Sequence, residues 1–159
     1  MKLGFFTMPI HPVDKDWRLS LKEDREAFLL ADELGFTEAY VGEHVTDRAE
    51  NITSCIAFIA WLAAATKQIK LGTGTVNMPN THPAALAASI AMLDHMLDGR
   101  LIFGISPGGC CRTRKFSAIS KPTETRCSWK QSTRSFRSGR VSRRTTCRAN
   151  IGTYRCKRP

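Results

Sequence analysis

An α/β fold with a parallel sheet is what this sequence predicts, on three observations. Short runs rich in β-branched and aromatic residues alternate with longer stretches of helical periodicity. The run centres, near Leu3, Ala39, Leu71 and Ile102, recur at a little over 30 residues. That interval is the size of one strand followed by its crossover helix. Two architectures share the pattern, an open doubly wound sheet and a (β/α)8 barrel, and periodicity alone does not separate them.

Lys2 to Met8 reads as the first strand, buried and stopped by Pro9. A capping box from Ser20 to Glu23 opens the first helix, each side chain satisfying the other's free backbone N–H. Ala27, Leu30, Ala31 and Leu34 then follow a helical spacing that predicts its core stripe, and Gly35 ends it. Ala39 to Gly42 is the second strand. Ile52 to Thr66 is apolar on nearly all sides, which predicts a helix wedged between neighbours. Ile69 to Val76 is the third strand. Pro83 suits the first turn of a third helix that runs to about Leu97, where Asp98 and Gly99 break it. Arg100 to Ser106 is the fourth strand. In either architecture chemistry gathers at the C-terminal ends of the strands, so Met8, Glu43, His44, Thr75, Asn77 and Ser106 are the residues to examine.

Charge divides the chain into two parts, 1–109 and 110–159. The first carries 9 Lys and Arg against 13 Asp and Glu, a net of −4; the second carries 15 basic residues against Glu124 alone, a net of +14. The basic character therefore belongs to the tail. Cysteine divides in the same way, with Cys55 in the body and Cys110, Cys111, Cys127, Cys147 and Cys156 in the tail. The start, Met1 to Pro12, has no basic region leading into an apolar stretch, and the longest apolar run, Cys55 to Ala65, falls short of the roughly 20 residues a bilayer requires. A cytoplasmic protein with no membrane contact is expected.

Two motifs are set aside on physical grounds. Gly104-Ile105-Ser106-Pro107-Gly108 has the form of a hydrolase nucleophile elbow. That elbow uses the backbone N–H after the serine, and Pro107 has none. No Asp or His follows Gly109 to complete a triad. Gly72 and Gly74 form only part of a dinucleotide fingerprint, because the third glycine and the immediate helix start are missing.

Other stretches resemble the bacterial luciferase family of flavin-dependent monooxygenases. Glu33-Leu34-Gly35-Phe36, followed by Tyr40-Val41-Gly42-Glu43-His44, is similar to that family's second strand with its Glu-His pair. Gly72-Thr73-Gly74-Thr75-Val76, then Pro79 and His82-Pro83, resembles the third strand and the loop after it. Leu93-Asp94, Gly99-Arg100 and Phe103-Gly104-Ile105-Ser106 resemble the third helix and fourth strand. The matches come in family order across residues 1–109.

The resemblance implies a (β/α)8 TIM barrel, of which this chain holds the first four strand-helix units. It implies reduced FMN as cofactor, with F420 as the alternative. FMN is favoured because the Glu43-His44 pair and the Phe103 to Ser106 strand look closer to the luciferase branch. With O2, such an enzyme oxidises a small organic substrate such as an aldehyde, alkane or terpene. A flavin reductase supplies the reduced FMN, and a homo- or heterodimer is the expected assembly. His44 is implied as the acid–base residue, a task that suits imidazole because it titrates near neutrality. Met8, Glu43, Thr75 and Ser106 are implied to line the flavin ring, Ser106 standing where luciferases proper carry a cysteine. Asn77 and His82 are substrate or loop candidates. No metal is implied.

The resemblance stops near Gly109. Residues 110–159 hold 11 Arg, 7 Ser, 7 Thr and 5 Cys but no Leu, Met, Asp or His. Such a segment cannot bury enough surface to offset its chain entropy, so disorder is expected. A shift of reading frame near Gly109 accounts for so abrupt a change inside a family motif. The alternatives are a basic arm binding nucleic acid through phosphates, around Ser135 to Arg144, and a zinc site, which the adjacent Cys110 and Cys111 suit poorly. Four strands leave a barrel open, so the chain alone is expected to be truncated and unstable, to associate, or to be inactive. A non-enzymatic fragment that binds nucleic acid electrostatically is the competing reading.

Overall fold

A computed structural model of the chain describes residues 2–107. The expectations of a disordered, frame-shifted, nucleic-acid-binding or zinc-binding tail over 110–159 concern residues outside that range. Within it the expected parallel α/β arrangement is present. Strand β1 (Gly4–Thr7) leads to helix α1 (Trp17–Glu33), β2 (Glu38–Val41) to α2 (Cys55–Ala63), and β3 (Lys70–Thr73) with β4 (Val76–Asn77) to α3 (Pro83–Met96). Strands β5 (Leu101–Ile102) and β6 (Ile105–Ser106) follow. The main sheet has four parallel strands in the order β1-β2-β3-β5, and β4 and β6 form a separate parallel pair. No helix among the described residues is long and apolar enough to cross a membrane.

Register sorts the side chains onto two faces. Phe5, Ala39, Leu71 and Leu101 are aligned across the sheet. Ala39 and Leu71 are fully buried, and the Phe5 ring stands edge-on to Phe28 of α1. Phe28 in turn meets Phe58 of α2, with ring centroids 5.5 Å apart. Ile59 and Leu62 of α2 and Leu86 and Leu93 of α3 complete this layer. Burying each such side chain is worth about 1.5–3 kcal/mol, which is what fastens the helices to the sheet. The opposite face carries Phe6, Tyr40, Gly72 and Ile102 in register.

Several elements depart from the sequence expectation. Helix α1 starts earlier than Ser20. Asp16 is its N-cap, accepting the Arg18 N–H at 2.7 Å, and Ser20 lies inside the first turn with its hydroxyl donating to the Asp16 carbonyl. The buried stripe is correspondingly rotated. It comprises Ser20, Asp24, Phe28, Ala31 and Asp32, while Leu30 and Leu34 are more than half exposed. Two carboxylates can occupy that stripe because each has partners: Asp24 meets His11, and Asp32 accepts three backbone N–H groups.

Helix α2 is shorter than Ile52 to Thr66, starting after the Ser54 cap, and is not wedged on all sides: Trp61 is exposed and takes the Arg25 guanidinium over its ring. The first strand is not buried either. Among the described residues β1 is a sheet edge, and Phe6, on the face away from the helices, is 56% exposed.

The third and fourth strands each break in two. Gly74 still donates to the Val41 carbonyl, and past the cis Gly74–Thr75 peptide the chain pairs only with the second half of the fourth strand, Val76 donating to the Gly104 carbonyl at 3.0 Å. Thr73 bridges the break, its hydroxyl donating to the Gly104 carbonyl and accepting the Gly104 N–H. A Cβ on Gly104 would stand 2.3 Å from the Thr73 carbonyl oxygen, so this crossing requires glycine.

The N-terminal ends of the strands are fastened by polar groups. Asp32 accepts from the backbone N–H groups of Lys67, Gln68 and Ile69 at 2.7, 3.1 and 2.7 Å. The Arg100 guanidinium donates to the carbonyls of Ile69, Thr66 and Ala63, two of them at the end of α2. Burial works to raise the Asp32 pKa, but the three N–H donors and Arg100 outweigh it and hold the carboxyl below its ordinary value.

Candidate active site

The opposite, C-terminal ends of the strands collect the polar residues that the sequence singled out. Where β2 ends, Gly42 leaves room for a side chain from the neighbouring strand. A Cβ there would lie 2.4 Å from Met8 Cγ and 3.2 Å from the Gly74 carbonyl oxygen. Met8 therefore lies across the strand end, 41% exposed.

Glu43 follows, and it turns inward. Its Oε2 accepts the backbone N–H and the thiol of Cys55 at 3.1 and 3.2 Å; its Oε1 accepts the Asn77 N–H at 2.9 Å. The Asn77 amide nitrogen donates to the Glu43 carbonyl, and its Oδ1 accepts from the Ser106 hydroxyl at 3.1 Å. One polar chain thus joins the ends of β2, β4 and β6 to the start of α2. Burial, then the Glu43 carboxylate, push the Cys55 thiol well above its usual range, so it stays protonated and serves as a donor. Glu43 is 8% exposed with both oxygens bonded to protein donors. Through these bonds Glu43 links the end of the second strand to the start of α2 and to β4.

His44 points the other way. Its backbone N–H donates to the Ile52 carbonyl at 3.1 Å, and its Nδ1 meets the Glu50 carboxylate. The imidazole is about one-third exposed, and Nε2 has no bonded partner among the described residues. Thr75 is half-buried just past β3 and beside Gly104. Ser106 closes the row, and its hydroxyl is committed to Asn77. His82 stands apart. It is exposed and caps α3, its Nδ1 accepting the Ala84 N–H, and that bond does not reach the strand-end cluster.

Three residues that sequence reasoning passed over take part. Glu50 holds His44. Cys55 holds Glu43. His11 donates from Nε2 to the Asp24 carboxylate at 2.9 Å while its backbone N–H donates to the Ala49 carbonyl, tying the loop after β1 to the loop after β2. Burial raises the Asp24 pKa, with His11 acting against it. Cys55, directly after a Ser cap, was the one contact with a readable cue.

A planar heteroaromatic cofactor needs apolar contact on its faces and polar partners at its rim. Phe6, Met8 and Val45 are exposed, and His44 and Thr75 are partly exposed. In the loops after β2 and β4, the buried amide nitrogens of Asn51 and Asn80 have no acceptor among the described residues. That donor set fits a flavin ring. No group of three metal-ligating side chains occurs among the described residues.

The family described as luciferase-like monooxygenase matches residues 1–123. A 4-hydroxyprotoasukamycin monooxygenase from Streptomyces nodosus subsp. asukaensis is 37% identical over 79% of this chain and 34% of its own length. Limonene 1,2-monooxygenase from Rhodococcus erythropolis is 37% identical over 77% of this chain and 32% of its own. The chain thus spans about a third of the length of the curated relatives it matches. Among solved structures, the oxygenating constituent of 3,6-diketocamphane monooxygenase from Pseudomonas putida, in complex with FMN, superposes with a TM-score of 0.75 at 27% identity, covering 82% of this chain and 38% of that one. A coenzyme F420-dependent tetrahydromethanopterin reductase from Methanopyrus kandleri gives a TM-score of 0.55 at 28% identity, over 77% of this chain and 31% of its own.

Proposed function

The chain belongs to the luciferase-like monooxygenase family, and on that premise we propose that it supplies the flavin-facing half of an oxygenase site with His44 as the acid–base residue. The observation that carries this is the imidazole itself, placed after a strand end with one ring nitrogen held by Glu50 and the other without a bonded partner among the described residues. Met8, held by the space at Gly42, gives the ring an apolar contact, and Thr75 a polar one. Glu43, Asn77 and Ser106 keep the strand ends in register beneath it.

Reduced FMN, when bound, supplies the two electrons with which O2 gives one oxygen atom to the substrate and the other to water. His44 takes up or returns a proton at Nε2 during that exchange. FMN is favoured over F420 because the FMN complex superposes more closely, and the relative described as an oxygenating constituent fits supply of reduced flavin by a separate reductase. The exposed Phe6, in register with Tyr40, favours a small apolar organic substrate, in keeping with the limonene and diketocamphane in the names of relatives. Turnover needs a closed barrel. Among the described residues β1 and β5 are sheet edges, so activity is proposed for a state in which both edges are paired.

A chimera tests this: residues 1–109 fused to the remainder of limonene 1,2-monooxygenase and driven by a flavin reductase. O2-dependent oxidation of limonene is expected, falling by about 100-fold or more in His44→Asn. An unchanged rate in His44→Asn refutes the role of His44.

A further inference from the structure

We propose that Glu50 is the positioning residue for His44, fixing the imidazole as the Nδ1–H tautomer so that Nε2 presents its lone pair to the reacting group. This rests on the acid–base reading of His44. An ionised carboxylate only accepts hydrogen bonds, so the nitrogen that meets Glu50 must carry the proton, and in neutral imidazole the other nitrogen is then the acceptor. The contact is built rather than incidental. Glu50 is 18% exposed, its neighbour Ala49 is held from two sides by the His11 N–H and the Asp47 carboxylate, and Ile52 beyond it accepts the His44 N–H. The other carboxylates around the loop are committed elsewhere: Glu43 to Cys55 and Asn77, Asp24 to His11, Asp47 to Ala49. Arg48 on the same loop is exposed. A partner of this kind orients the ring and sets which nitrogen is basic without touching substrate.

The test is long-range 1H–15N correlation on the full chain labelled with 15N-histidine, without flavin, at a pH where the imidazoles are neutral. His44 is expected in the Nδ1–H form. Glu50→Ala should convert it to a population led by Nε2–H. Glu50→Gln, which keeps an acceptor oxygen, should retain Nδ1–H. His11, held by Asp24, reports folding and should be unchanged throughout. A wild-type His44 that is mainly Nε2–H, or that is averaged as in an unfolded chain, overturns the proposal; so does a folded Glu50→Ala that keeps Nδ1–H. If Glu50→Ala loses the His11 signature, the wild-type spectrum and Glu50→Gln decide: loss of Nδ1–H in a folded Glu50→Gln also refutes it. The chimera separates this from the reading beneath it. A failure here with His44-dependent turnover removes Glu50 alone, whereas the expected tautomer with His44-independent turnover removes the acid–base role.

Discussion

Glu43 accepts the backbone N–H of Asn77 at 2.9 Å, and through that bond the end of the second strand fixes the chain as it leaves the third. The other carboxylate oxygen takes the Cys55 N–H and thiol, so both oxygens face donors. An amide in place of the carboxylate must turn its NH2 toward one of these pairs. Glu43→Gln is therefore expected to destabilise the fold by about 1–3 kcal/mol, read as a lower denaturant midpoint. An unchanged midpoint would show that the network is slack.

Asp32 sets an acid limb to stability. Its carboxyl is held below its ordinary value in the folded state, so the stabilisation is fully present above the unfolded value of about 3.9 and is lost as pH falls through the depressed folded one. Asp32→Asn should lower stability at neutral pH, and the gap to the wild-type chain should close on acidification below about pH 4. Denaturant melts at several pH values check this, and a gap independent of pH contradicts it.

Gly42 and Met8 share one space. Gly42→Ala puts a methyl 2.4 Å from Met8 Cγ, and the flexible side chain must move aside. A cost of about 1–3 kcal/mol is expected, and part of it should be recovered in Gly42→Ala with Met8→Ala. Additive effects of the two substitutions would place Met8 elsewhere.

The register of the first helix can be tested with two residues. Phe28 is fully buried between Phe5 and Phe58, and Leu30 is 53% exposed. Phe28→Ala should cost about 3–5 kcal/mol, whereas Leu30→Ala should cost at most about 0.5. Comparable losses would restore the stripe read from sequence spacing.

That contrast shows what was legible. The strand-helix order could be read because local propensity and turn residues agree with the fold, as at Gly35 and at Pro83. The face of the first helix could not, because three of the five residues it buries, Ser20, Asp24 and Asp32, are polar. Their burial depends on partners distant in the chain: His11 for Asp24 and the N–H groups of Lys67 to Ile69 for Asp32, beside the two phenylalanine rings that meet Phe28. His44 was found through its place at a strand end and a family motif. Glu50 has no periodic relation to it and is brought there only by the course of the loop. The breaks in the third and fourth strands are bridged by one side chain, Thr73, bonding across to Gly104, a contact that no spacing rule reports.

The central claim is that the flavin ring lies beside His44, and the most direct measurement is to add reduced FMN anaerobically to the 15N-histidine-labelled chain. Four histidines are present, so each can be followed. The His44 Nε2 signal is expected to move on saturation while those of His11, His82 and His95 hold still. Movement at His82 without His44, or no movement of any histidine at saturating flavin, would contradict it.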